Sequence, residues 1–134
     1  MSTNNTSMVQ TAMTEALARF LDVDVARYQL ISTNLANIDT PGFRTRDLDF
    51  RAELRRAAAA ASSGDERPVG LAALHPSSHE VRGLLERPDG NNVSVERESL
   101  LLAETQMKFN LGAQLLKDQF HAISMAINSG GSTS

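Results

Sequence analysis

The sequence contains no cysteine and no tryptophan. The missing cysteine excludes disulfides, thiolate metal sites and cysteine nucleophiles. Aromatic residues make up 4% of the chain, with a single tyrosine. A core must therefore come from Leu, Ile, Val, Ala and Met, which suits helix packed on helix. No apolar run approaches the ~20 residues that a membrane-spanning helix needs. Met1 to Gln10 carries no basic residue. This start lacks the basic and apolar regions of a cleaved signal peptide, so any passage out of the cytoplasm is expected to use another route. A formal net charge of −3 gives no footprint for nucleic acid or anionic lipid.

The 134 residues set a prior of one domain. Residues 1–10 read as a flexible tail, although Ser7 with Gln10 makes a capping box and Thr11 an equally good helix start. From there to about Asp39 the apolar positions Leu17, Leu21, Tyr28, Ile31, Leu35 and Ile38 recur at helical spacing, with Asp24 occupying one slot expected to be apolar. No Gly or Pro interrupts this run, which predicts a helix ~40 Å long. Thr40 precedes a proline and is pushed out of the α region. Pro41-Gly42 suits a type II turn. Phe43 to Phe50 reads as extended, which completes an N-terminal unit of residues 11–50.

The middle, residues 51–88, is variable in character. Arg51 to Ala61 is an Ala-rich helix candidate, a linker is expected near residues 62–68, and a short strand is expected over Glu80 to Glu86. Residues 89–128 form the second long unit. Asp89-Gly90 signals a turn, Ser94 is the expected N-cap, and Glu96 and Glu98 complement the positive end of the helix dipole. Leu102, Phe109, Ala113, Leu116, Phe120, Ile123 and Ile127 make one stripe; Met107, Leu111 and Leu115 make a second. The predicted helix is ~50 Å long, and residues 129–134 read as a tail.

These lengths fit poorly inside a compact domain of this size, whose radius of gyration is ~14 Å. The fold class expected is mainly α: an elongated, coiled-coil-like pair of N- and C-terminal helices around a small irregular, strand-containing middle. The N-terminal stripe should face Leu116, Phe120, Ile123 and Ile127. Two stripes on one helix exceed what one partner helix covers, so the surplus should be buried by other subunits.

No nucleophile elbow, Gly-rich phosphate loop or metal-ligand spacing is present, and no catalytic, cofactor or metal residues are assigned. Pro76 between His75 and His79 argues against a helical ligand pair. Asn34, Asn37 and Thr40 are three apart and share a helix face. Such residues either cap their own helix end or hydrogen-bond a neighbouring subunit, and both readings stand.

The run Asn34-Leu35-Ala36-Asn37-Ile38-Asp39-Thr40-Pro41-Gly42-Phe43-Arg44 resembles the N-terminal signature of the bacterial flagellar rod, hook and hook-associated axial proteins. Arg46-Asp47-Leu48-Asp49-Phe50 and Asp89 to Glu98 resemble a proximal rod member of that family rather than its sister proximal rod protein. Phe43 stands where tyrosine is also common. The resemblance covers roughly residues 11–50 and 89–128. It implies a structural subunit rather than an enzyme, exported unfolded through the flagellar type III apparatus to the periplasmic rod of the basal body. Implied partners are other rod subunits, copies of itself in a helical assembly, and the membrane ring with its adaptor protein. In this reading Asn34, Asn37, Thr40, Pro41, Gly42 and Phe43 fix the turn and touch an adjacent subunit. From a different class, a soluble helical adaptor or export chaperone would show similar unpartnered stripes.

Overall fold

The computed structural model describes residues 3–62 and 76–131. Two long helices dominate: α1, Thr3–Ala36, and α3, Val95–Gly130. Between them lie β1 (Arg46–Leu48), α2 (Phe50–Ser62) and β2 (Ser78–Glu80). The mainly helical class and the small strand-containing middle are as expected. Most of the linker expected near residues 62–68, as well as His75 and residues 132–134, lie outside the described residues.

The element ends differ from expectation for identifiable reasons. α1 already starts at Thr3 and stops at Ala36, where the chain tightens into i+3 bonds: the Asn37 and Ile38 amides donate to the Asn34 and Leu35 carbonyls. Ile38 is therefore off the helical stripe. β2 sits at Ser78–Glu80 because it pairs antiparallel with β1, Arg46 against Glu80 and Leu48 against Ser78. The Ser94 hydroxyl accepts from the Arg97 amide and caps α3 as expected. Asp49 does the same for α2, accepting from the Ala52 amide.

α1 and α3 run antiparallel. Asn34 meets Glu98, Arg27 meets Glu104, and Leu21 lies against Gly112. This register places Ile31 and Leu35 beside the start of α3, so they do not face Ile123 and Ile127. Ile31 is fully buried; Leu17, Leu21, Leu35, Ile38, Leu116 and Ile123 are half-buried. Tyr28, Phe109, Phe120 and Ile127 remain exposed, Ile127 to 69%. A Cβ on Gly112 would come within 2.9 Å of the Leu21 methyl and 3.0 Å of the Phe20 ring, so any larger residue there makes those side chains shift. α2 covers one flank of the pair. Phe50 stacks edge-on to Phe20 at 5.3 Å, the Lys108 ammonium sits 4.3 Å above the Phe50 ring, and Arg19 donates to the Ala57 carbonyl.

Candidate functional site

The segment from Asn34 to Arg44 folds into a corner, and the start of α3 locks it. Thr40 to Phe43 is a type II turn: the Phe43 amide donates to the Thr40 carbonyl, and Gly42 has φ +73°. The turn of Arg87 to Gly90 packs back-to-back on it. The Gly42 amide donates to the Asp89 carbonyl at 2.8 Å, and a Cβ on Gly90 would lie 3.4 Å from the Gly42 Cα. Nothing lies near a Cβ built on Gly42, so the demand for glycine there is conformational. Gly42→Val is expected to lose roughly 1–2 kcal/mol or more from the positive φ alone, and Gly42→Asn markedly less. Denaturant titration of both variants checks this; equal losses would mean that space, not φ, selects glycine.

Asparagines supply the ties. Asn91 is fully buried and its side-chain amide donates to three carbonyls, those of Asn37, Ile38 and Thr40, at 2.9–3.1 Å. Its own oxygen accepts from the Val93 amide. Arg87 also donates to the Ile38 carbonyl. Asn92 accepts from the Thr45 amide at 2.7 Å. Asn34, buried at the end of α1, binds both the amide and the carbonyl of Arg46 and donates to Glu98 at 3.0 Å. These bonds satisfy carbonyls of the turn and strand that follow α1, while the Asn37 and Ile38 amides serve the open carbonyls of Thr33, Asn34 and Leu35 in the last turn of the helix.

The corner thus separates the three motif residues that the sequence placed on one face. Asn34 points inward. Asn37 donates to the Thr33 carbonyl and accepts from the Thr40 hydroxyl, so these two cap their own turn. Pro41 and Gly42 are exposed and Phe43 is half-buried.

A charge cluster continues the lock along the helix pair. Asp47 accepts both Arg27 nitrogens at 3.1 Å, Arg97 at 2.8 Å and the Leu48 amide at 2.8 Å. Burial pushes its carboxyl up, but Arg27, the Leu48 amide and Arg97 together outweigh that and hold it below the usual carboxylate range. Arg97 also reaches Glu98, which is wholly buried. Asp24 is the exception. It is 1% exposed and neither carboxylate oxygen has a hydrogen-bond partner. Burial raises it from 3.8 to about 6, against the pull of Lys108 and Arg27 and with help from Glu104.

Among the described residues, no group of three or more His, Asp or Glu is placed to hold a metal ion, and no helix is long and apolar enough to cross a membrane. His79 is exposed.

No family model matches the chain. Among curated proteins, the flagellar basal body rod protein FlgB of Salmonella typhimurium is 30% identical over 125 residues, covering 82% of this chain and 88% of that protein. The chain belongs to the FlgB family. FlgB of Borreliella burgdorferi is also 30% identical, over 122 residues and 90% of its length. FlgB of Escherichia coli is 26% identical over 122 residues. The chain is thus a FlgB-family rod protein of the flagellar basal body, and a structural component by that membership.

For this FlgB-family chain, sequence reasoning pointed to the Asn34–Phe43 run but missed Asn91, Asn92, Asp47 and Glu98 as its counterparts. For Asn91 and Asn92 the available signal was their setting beside Gly90 and just before a helix start, where an asparagine amide can reach a neighbouring chain end; Asp47, in β1, and Glu98, inside α3, carried no such signal. Arg27 and Arg97, as the cations that neutralise Asp47, carried no signal in local spacing.

Proposed function

We propose that the chain is a structural subunit of the proximal rod, joining the membrane ring and its adaptor protein to the rest of the rod and transmitting torque. The observation that carries this is the coexistence of a locked corner and bare helix faces. Torque on a tube is shear between neighbouring helices. A subunit transmits shear if its own two helices cannot slide, and the Asn34–Glu98 and Arg27–Asp47–Arg97 ties oppose sliding. It passes shear on if it grips its neighbours. Leu100, Met107, Leu111, Phe120 and Ile127 stay exposed along α3 although α1 runs beside it, apolar surface that neighbouring subunits can cover. Copies of the same chain and other rod subunits are the partners proposed for these faces, in the periplasmic rod after type III export.

Cryo-electron microscopy of basal bodies purified from the source organism tests this. The expected map shows the chain at the rod base with the exposed α3 face covered by adjacent subunits. Its absence from the rod base would overturn the reading. Retention in the cytoplasm would favour a chaperone, and a position displaced along the rod would favour the sister rod protein's role.

A further inference from the structure

We propose that Asp24 and Thr105 form the floor of a socket that receives a lysine or arginine side chain from a neighbouring subunit. The inference rests on the rod-subunit reading and adds a specific contact to it. Both residues are at least 98% buried, and the Asp24 carboxylate oxygens and the Thr105 hydroxyl have no hydrogen-bond partner. Both border an open cavity of about 440 Å³ between α1 and α3, with their polar oxygens just beneath its surface. Such groups are uncommon in folded proteins, because each lost its water without gaining a bond.

The charges around Asp24 identify what is missing. From α1 comes Arg27, and from α3 come Lys108 and Glu104. Arg27 is held by Asp47, and Lys108 by Glu104 at 2.7 Å. Across the wider cluster, four carboxylates (Asp24, Asp47, Glu98, Glu104) meet three cations (Arg27, Arg97, Lys108). Asp24 is the one left without an ion-pair contact among the described residues. An anion or a neutral group would leave that charge uncompensated. A lone carboxylate and a hydroxyl give too few oxygens for calcium.

The walls select the same occupant. Tyr28 and Phe109 flank the opening and are themselves 45% and 42% exposed. Aromatic faces attract a cation, and apolar walls accommodate the aliphatic stem beneath a Lys or Arg head group. The opening faces outward between half-exposed rings, within reach of a side chain from another molecule.

The test compares wild type with Asp24→Asn, which keeps the shape and removes the charge. In the isolated chain the unpaired carboxylate opposes folding. The folded carboxyl titrates above its unfolded value, so wild-type stability should fall as pH rises from about 3.8 to about 6. Asp24→Asn should lack that fall and have an equal or higher Tm at pH 7. In cells the same variant should reduce assembled rods at least about tenfold, since the incoming cation would be buried unpaired. Opposite signs in the two assays support the socket. Wild-type rod numbers with Asp24→Asn would overturn it, as would a variant less stable than wild type at pH 7, which would make Asp24 an internal structural group. Absence of the wild-type chain from rods would instead defeat the rod-subunit reading.

Discussion

Asp47→Ala is expected to destabilise the isolated chain by about 3 kcal/mol, the low end of the range for breaking a buried ion pair from one side. Asp47 is the point at which β1, α1 and α3 meet. It takes a two-pronged contact from Arg27 and a further bond from Arg97. Removing it leaves Arg27, whose side chain is only 13% exposed, with the longer 3.7 Å contact to Glu104 alone. Arg97 is more open to solvent and turns to Glu98, which is why the low end applies. Asp47→Asn keeps an acceptor but not the charge, and should fall between wild type and alanine. Urea titration followed by circular dichroism reads both; a loss under about 1 kcal/mol for alanine, the range of surface pairs, would show that the cluster is ornamental to the fold. The pH dependence has a definite sign. The folded carboxyl lies below its unfolded value, so its contribution is complete above the ordinary carboxylate range and is lost as pH falls through the folded value. Asp24 acts in the opposite sense over a higher window, so the two contributions separate in a pH series.

Asn91→Asp should be worse than Asn91→Ala, although the aspartate has nearly the shape of the asparagine. In the native corner the amide nitrogen of Asn91 feeds the carbonyls of Asn37, Ile38 and Thr40. Alanine leaves the Val93 amide without a partner and each of the three carbonyls with one donor fewer, the Thr40 amide staying on Asn37, Arg87 on Ile38 and the Phe43 amide on Thr40; the expected loss is about 1–3 kcal/mol, that of one buried unsatisfied group. Aspartate adds a buried negative charge pointed at three carbonyl oxygens, so its loss should be larger still. Hydrogen exchange should localise the damage: the amides of Asn37 to Phe43 should lose protection in both variants while mid-helix α3 amides keep theirs. Uniform loss along the chain, or aspartate milder than alanine, would mean that Asn91 does not organise the α1 terminus.

The legible and illegible parts of this chain divide by the range of the physics involved. The two long helices follow from spacing that any apolar stripe obeys, and the turn at Gly42 follows from local backbone geometry. So does the Ser94 cap. What spacing cannot say is which of two stripes a helix spends on its own partner. That choice is made by register, and register here is set by Asn34 meeting Glu98, residues far apart in sequence. Hence Phe109, Phe120 and Ile127, read as seam positions, stay in the open. Asp24 was visible as an interruption of the stripe, yet its isolation depended on Arg27 and Lys108 already having other partners. The expected face shared by Asn34, Asn37 and Thr40 failed because the helix ends before the second of them. Ser78–Glu80 was set as a strand by its pairing with Arg46–Leu48, which no local propensity contains.

That short ribbon has a consequence for how such a protein can change. Leu48 leaves the corner directly beside the returning Ser78, and the two-strand clasp holds exit and entry together. The conformational penalty for a longer excursion between fixed ends rises only logarithmically, ~0.6 kcal/mol per doubling. A change of length between α2 and β2 is therefore expected to cost the helical frame little, whereas α2 itself, with Phe50 against Phe20 and the Ala57 carbonyl on Arg19, belongs to that frame.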